Sequence, residues 1–130
     1  MELLHKSLTD KIIKAYFKVY NTLGYGFLEK VYENALFIEL KKAGLTVSKQ
    51  QPIHVYYEGE LAGEYFADLL VENLVIIEVK AAEKIAIQHQ YQLQNYLKAT
   101  EAEVGLLLNF GKEPEYARKV FTKEHKKARY

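Results

Sequence analysis

An α/β (α+β) domain, a mixed β-sheet flanked by helices, is predicted by three observations. Apolar residues recur at helical spacing through the first forty positions. The period then shortens to two across several short runs. Beyond them lie two strands with long apolar runs, separated by a third helical stretch.

The first helix follows Ser7-Leu8-Thr9-Asp10, which has the pattern of a capping box, and places Ile12, Ile13, Tyr16, Phe17, Tyr20 and Leu23 on one face. Gly24-Tyr25-Gly26 interrupts it. A second helix is expected from about Leu28 to Lys42, with Val31, Ala35, Leu36 and Leu40 inward, Glu29 and Glu33 sharing a face, and Gly44 as its stop. Strands are expected at Leu45 to Lys49, at Ile53 to Tyr57 and, past a turn at Glu58-Gly59-Glu60, at about Leu61 to Leu70. After Glu72-Asn73, Leu74 to Lys80 begins with four apolar residues, as a strand covered on both faces requires. A helix from about Lys84 to Lys98, a buried strand from Val104 to Phe110 and an edge strand from Tyr116 to Phe121 complete the chain.

With 130 residues, 49% hydrophobic and 27% charged, residues 1–130 are expected to form one domain around one core. The absence of cysteine excludes disulfides, thiolate metal sites and cysteine nucleophiles, and fits a reducing, cytoplasmic location. No run is long and apolar enough for a signal peptide or a membrane span. Net charge is +1, but Arg118, Lys119, Lys123, Lys126, Lys127 and Arg129 against Glu124 give residues 118–130 a charge of +5, so the remainder carries −4. Such a basic tail is most often a solvated end, and it is also a means of contacting nucleic acid.

Glu78-Val79-Lys80, closing an apolar strand, carries the most chemical information. Residues two apart share a face, so a carboxylate lies beside an ammonium. Alone, such a pair is usually an ion pair at a sheet rim. Asp68, ten residues earlier on the preceding strand, changes its meaning, because two carboxylates can converge. Their convergence depends on register: a two-residue turn would pair Asp68 with Ile77 and turn it away from Glu78. A three-residue loop or a bulge, with Asn73 in the left-handed conformation, is therefore expected. Converging carboxylates repel unless one is protonated or a cation lies between them, and an all-oxygen cluster suits Mg²⁺ or Mn²⁺. Such an ion can polarise a phosphoryl oxygen and acidify a water. Lys80 is expected to act electrostatically, orienting water and stabilising charge on the attacked phosphate. On the third helix, His89, Gln92 and Tyr96 form a polar stripe opposite Ile87, Leu93 and Leu97; it either faces solvent or holds a phosphate. Most of the eleven tyrosines are expected to be structural, Tyr16, Tyr20 and Tyr32 among them, while Tyr25, Tyr56 and Tyr57 invite base stacking.

In order and spacing the chain resembles the GxxExxY proteins, a group within the PD-(D/E)xK nuclease superfamily. The resemblance rests on Gly26-Phe27-Leu28-Glu29-Lys30-Val31-Tyr32, then Glu33-Asn34-Ala35-Leu36, Asp68, Glu78-Val79-Lys80-Ala81, Gln92-Leu93-Gln94-Asn95-Tyr96-Leu97 and Gly105 to Gly111. It implies a restriction-endonuclease-like core. It also implies a metal site of Asp68 and Glu78, with Lys80 as partner, the Val79 carbonyl as a further ligand and Glu29 as the early-helix acid. Gln92 and Tyr96 resemble the Q-x-x-x-Y signature of RecB-like and Cas4-like nucleases, which adjoins the active site. Ala67 stands where the superfamily's name has proline.

The leading expectation is a metal-dependent nuclease, with Asp68, Glu78, Lys80 and Glu29 catalytic, Gln92, Tyr96 and His89 holding substrate, and DNA as the polymer. A homodimer would let such a small enzyme reach two strands. The runner-up is a module that binds nucleic acid without cutting it. Glycoside hydrolysis needs only the two acids and leaves Lys80 without a role.

Overall fold

The computed structural model describes residues 3–127. Along the chain run α1 (Lys6–Leu23), α2 (Glu29–Lys42), β1 (Val47–Tyr57), β2 (Glu60–Val71), β3 (Val75–Lys80), α3 (Ile87–Lys98), β4 (Val104–Phe110), β5 (Pro114–Val120) and α4 (Lys123–Lys127). The strands form one mixed sheet in the order β1-β2-β3-β4-β5. Its pairs are antiparallel except β3 with β4, whose parallel pairing requires a crossover, supplied by α3. Helices cover both faces, as expected. Val75, Ile77 and Val79 of β3 enter the core under α1 and α2, while Ile76 enters the core under α3. Alternation along one buried strand thus feeds two cores.

Several local readings need correction. α1 starts at Lys6 with no side-chain cap; its N-cap is His5 in the left-handed conformation, and Thr9 bonds back to the Lys6 carbonyl instead of forming a capping box. On α2 the buried residues are Tyr32, Glu33, Leu36 and Leu40, while Val31 is exposed, so the inward stripe lies one residue further round than the aliphatic pattern suggests. Leu74 lies in the β2–β3 turn and is exposed, α3 begins at Ile87, itself exposed, and β5 starts two residues before Tyr116 and ends one before Phe121. Of the basic segment, residues 118–120 belong to β5. Lys126 is buried and donates to the carbonyls of Thr100 and Ala102, so that cation closes the fold rather than remaining solvated. Residues 128–130 lie outside the described residues.

The two short strands expected before residue 58 are one continuous strand, β1, bent at Gln50, where φ is +49°. The bend has a consequence for facing. Val47 pairs with Val71 over the α1–α2 core, whereas Ile53 and Ala67 lie in the core under α3 although the residue count keeps the same parity. A residue in the left-handed region rotates the strand pair, so the outer half of the β1–β2 hairpin turns toward α3. Only Leu69, Leu70 and Val71 of β2 pair with β3. The outer hairpin is therefore a two-stranded arm, closed by Glu58-Gly59 with both residues at positive φ, the geometry that matches strand twist.

Candidate active site

The site forms where β2 and β3 separate. Val71 pairs with Val75, leaving Glu72, Asn73 and Leu74 as a three-residue loop in which Glu72 and Asn73 adopt φ of +53° and +55°. This loop brings Asp68 opposite Glu78, as the register argument required. The backbone ladder ends one pair earlier, at Leu69 and Ile77. Past that point the carboxylates replace it: the Asp68 N–H donates to Glu78 Oε2 at 2.8 Å, and the Val79 N–H donates to Asp68 Oδ2 at 2.8 Å. Each acid thus clasps the other's strand.

Glu78 is 4% exposed. Burial, then the charge of Asp68, pushes its carboxyl up to about 8, against the Asp68 N–H bond and the charge of Lys80. Asp68 is also raised, chiefly by burial and secondarily by Glu33, with the Val79 N–H, Lys80 and Gln50 opposing. The electrostatics therefore describe two carboxylates held together with too little positive charge. Lys80, the half-buried last residue of β3, contributes to both sites without neutralising them.

Two participants were not legible in the sequence. The left-handed Gln50 turns its amide inward, where Nε2 donates to Glu33 Oε1 and Oε2 at 3.1 and 3.2 Å and reaches Asp68 Oδ1 at 3.5 Å. Glu33, buried on α2 and also bridged by Lys30 at 3.1 Å, is the helix acid linked to Asp68. Glu29, one turn earlier, is exposed and accepts from the Ala81 N–H at 3.4 Å, beside the exit of Lys80. The shared face of the two acids hinted at this arrangement; the bend in β1 did not show in the sequence.

The Gly26-to-Tyr32 motif acts as a brace. Tyr32 is fully buried, its ring stacks on Phe110 with centroids 4.3 Å apart, and its Oη donates to the Gly24 carbonyl and accepts the Phe27 N–H. Gly26 sits at φ +111°, a conformation open to glycine, so the loop can fold back onto that hydroxyl and launch α2 with Glu29 toward β3. Beyond Lys80, the buried Asn109 holds Ala82 by accepting its N–H and donating to its carbonyl, both at 2.9 Å.

On α3, Tyr96 is buried, contrary to a solvent-facing stripe, and its hydroxyl is pushed up to about 12, first by burial and then by the charges of Glu78 and Asp68. Gln92 and Tyr96 line a cavity of about 910 Å³ between α3 and the outer hairpin. His89 is half-buried, with Nδ1 lacking a protein hydrogen-bond partner.

An acidic pair and a lysine at the point where two strands of a helix-covered mixed sheet diverge define a restriction-endonuclease-like α/β core. The chain belongs to the PD-(D/E)XK nuclease superfamily, whose family profile matches residues 6–120. Its fold is similar to that of the crystal structure of SSO0001, with a TM-score of 0.59 at 20% identity over 72% of this chain and 50% of that one. It is also similar to an alkaline exonuclease, LHK-Exo, from Laribacter hongkongensis, with a TM-score of 0.53 at 16% identity over 77% and 59%. At these identities the likeness is one of fold, and the chain spans 50% and 59% of the two proteins' lengths. No curated protein matches it. No helix among the described residues is long and apolar enough to cross a membrane.

Nucleases of this superfamily generally use divalent metal ions. Among the described residues no three acidic, histidine or cysteine side chains form a metal-enclosing group. That pattern disfavours a closed protein cage. Two converging carboxylates suit a hard divalent cation that keeps several of its waters. The raised carboxyls of Asp68 and Glu78, whose ionised forms lack a compensating charge, are the complementary feature.

Proposed function

We propose that the protein is a metal-dependent nuclease of the GxxExxY group, hydrolysing phosphodiester bonds in nucleic acid, with DNA the expected polymer. The observation that carries this reading is the reciprocal clasp of Asp68 and Glu78, which brings a half-buried and a buried carboxyl group together at a strand end instead of separating them. Such an arrangement costs stability unless a cation offsets it.

Asp68 and Glu78 hold Mg²⁺ or Mn²⁺ in this reading, with the Val79 carbonyl and Glu29 as further ligands or holders of its waters. When bound, the ion supplies Lewis acidity toward a phosphoryl oxygen and toward water. Lys80 orients the attacking water and stabilises charge on the phosphate. Gln50 and Glu33 fix the Asp68 carboxylate through the hydrogen bonds above. The Tyr96 hydroxyl stays protonated at neutral pH and is available as a donor; with Gln92 it lines the cavity, and His89, outside that lining and with its Nδ1 lacking a protein partner, is the third member of the substrate-holding stripe. A cytoplasmic location, supported by the cysteine-free sequence, and a homodimer belong to the same reading.

The test is incubation of wild type and Lys80→Ala with labelled single-stranded, duplex and branched DNA and with RNA, in Mg²⁺, Mn²⁺ or EDTA. Cleavage that needs metal and disappears in the variant is the expected result. Absence of cleavage by folded wild-type protein would favour a module that binds without cutting.

A further inference from the structure

We propose that the cavity between the outer β1–β2 hairpin and α3 binds unpaired nucleobases of a single strand and delivers that strand to the Asp68–Glu78 site. The inference rests on the nuclease reading for its purpose, but its geometry is independent.

Past Ala67 the hairpin has no β3 partner and leans over α3, with the Tyr65 and Tyr96 rings 5.7 Å apart. The cavity between them is about 910 Å³. Its hairpin wall offers the face of Tyr65, 47% exposed, above the small residues Ala62 and Gly63; its helix wall offers Tyr91, 63% exposed. Along α3, Gln88, Gln92 and Asn95 line the same cavity at i, i+4 and i+7. Tyrosine faces stack on any base, and primary amides both donate and accept, as base edges do. In a duplex the base faces are covered by neighbours and the pairing edges by the opposite strand. An unpaired base presents both at once, which is what aromatic faces interleaved with amides can use. No carboxylate lies among the described lining residues, so the cavity does not repel the phosphates that accompany the bases.

Continuity with the acidic pair gives the cavity its direction. Tyr65 on the cavity wall and Asp68 lie three residues apart on β2, about 10 Å along the strand, and Tyr96 shares the core under α3 with Ala67, the neighbour of Asp68, so a strand stacked against α3 runs toward the acidic pair.

The experiment uses the full chain in EDTA, where binding is read without cleavage. Fluorescence anisotropy is recorded for labelled oligothymidine, oligouridine and a blunt duplex with wild type, Tyr65→Ala and Tyr91→Ala. Single strands should bind about tenfold or more tightly than the duplex, and each variant should weaken single-strand binding about 5- to 100-fold. Comparison of oligothymidine with oligouridine tells whether the strand is DNA or RNA. Tyr91 is largely exposed, so its variant should fold even if Tyr65→Ala does not. Preference for duplex, or single-strand affinity in Tyr91→Ala within about twofold of wild type, overturns the inference. Loss of stacking-dependent binding leaves metal-dependent cleavage intact as a separate finding; single-strand binding through Tyr91 without any cleavage would sink the nuclease reading and leave the cavity.

Discussion

In the metal-free protein at pH 7, Glu78 is a buried carboxyl whose neighbours discourage ionisation. In the unfolded chain it titrates near 4.5, and in the folded protein near 8. Between these values the folded state binds a proton that the unfolded state has released, so stability falls as pH rises through that window and levels off above about 8. At about 1.4 kcal/mol per pKa unit, the interval from 4.5 to 7 is worth roughly 3 kcal/mol at pH 7. Glu78→Gln removes the titrating group while keeping an amide oxygen that can accept the Asp68 N–H, bonded at 2.8 Å in the wild type. The variant should therefore be the more stable protein at pH 7 in EDTA, with a melting temperature higher by about 10 °C for a chain of this size. Circular dichroism melts between pH 4 and 9 should show no gap at the acid end, a gap opening from about 4.5, and a constant one above about 8. Adding Mg²⁺ should raise the wild-type melting temperature and leave the variant nearly unmoved, since binding to the native state stabilises by about 3 kcal/mol at a hundred times Kd. A variant less stable than wild type at neutral pH, or a gap independent of pH, would show that the carboxyl is not strained by its surroundings.

Gln50→Gly should fold normally, because glycine accepts the positive φ of that bend, but it deletes the amide that links Glu33 to Asp68. Mg²⁺ titrations of the cleavage rate should show an activating concentration raised about 10- to 100-fold, with a much smaller change in the rate at saturating metal. Tyr16→Phe removes a buried hydroxyl that donates to the Asn109 carbonyl at 2.5 Å and accepts the Glu115 N–H at 3.0 Å. Urea unfolding should show a loss of about 1–3 kcal/mol, while cleavage per folded molecule, measured well below the midpoint, stays unchanged.

The sequence was most readable where one strand's needs were local. The apolar run into Glu78-Val79-Lys80 marked a covered strand, and Asn73 marked the loop that sets its register, because a one-residue difference there decides whether Asp68 faces Glu78. Glu72 at positive φ gave no comparable sign. Gln50-Gln51-Pro52 looked like a break between strands because polar residues and a proline ordinarily end one. Pairing with β2 carries β1 through the interruption and converts it into a bend. Glu33 was harder still: a glutamate in a helix normally points to solvent, and its burial depends on Gln50, seventeen residues away, and on Lys30. Ile87 and Val31 failed in the opposite sense, since apolar character alone does not tell which side of a short helix the sheet will cover.

These misreadings share a cause that bears on how the site works. The residues legible in the sequence carry the charge, whereas those that were not legible fix where the charge sits. Main-chain groups do much of that fixing: the N–H groups of Asp68 and Val79 hold the two carboxylates, and the buried Asn109 holds Ala82 beyond Lys80. Gly111 sits so close to that segment that an added Cβ would lie 2.3 Å from the Ala82 carbonyl oxygen, leaving no room for a side chain. The chain from Lys80 to α3 is thus anchored to β4 at Ala82 and to β5 where the Ile85 N–H donates to Glu115 Oε1 at 2.8 Å, which holds the start of the cavity-lining helix relative to the acidic pair. Lys80→Ala, which leaves the carboxylate clasp untouched, and Glu78→Gln, which keeps an acceptor for the Asp68 N–H, should therefore alter charge at a frame that stays in place, so metal titrations of their cleavage rates read chemistry rather than unfolding.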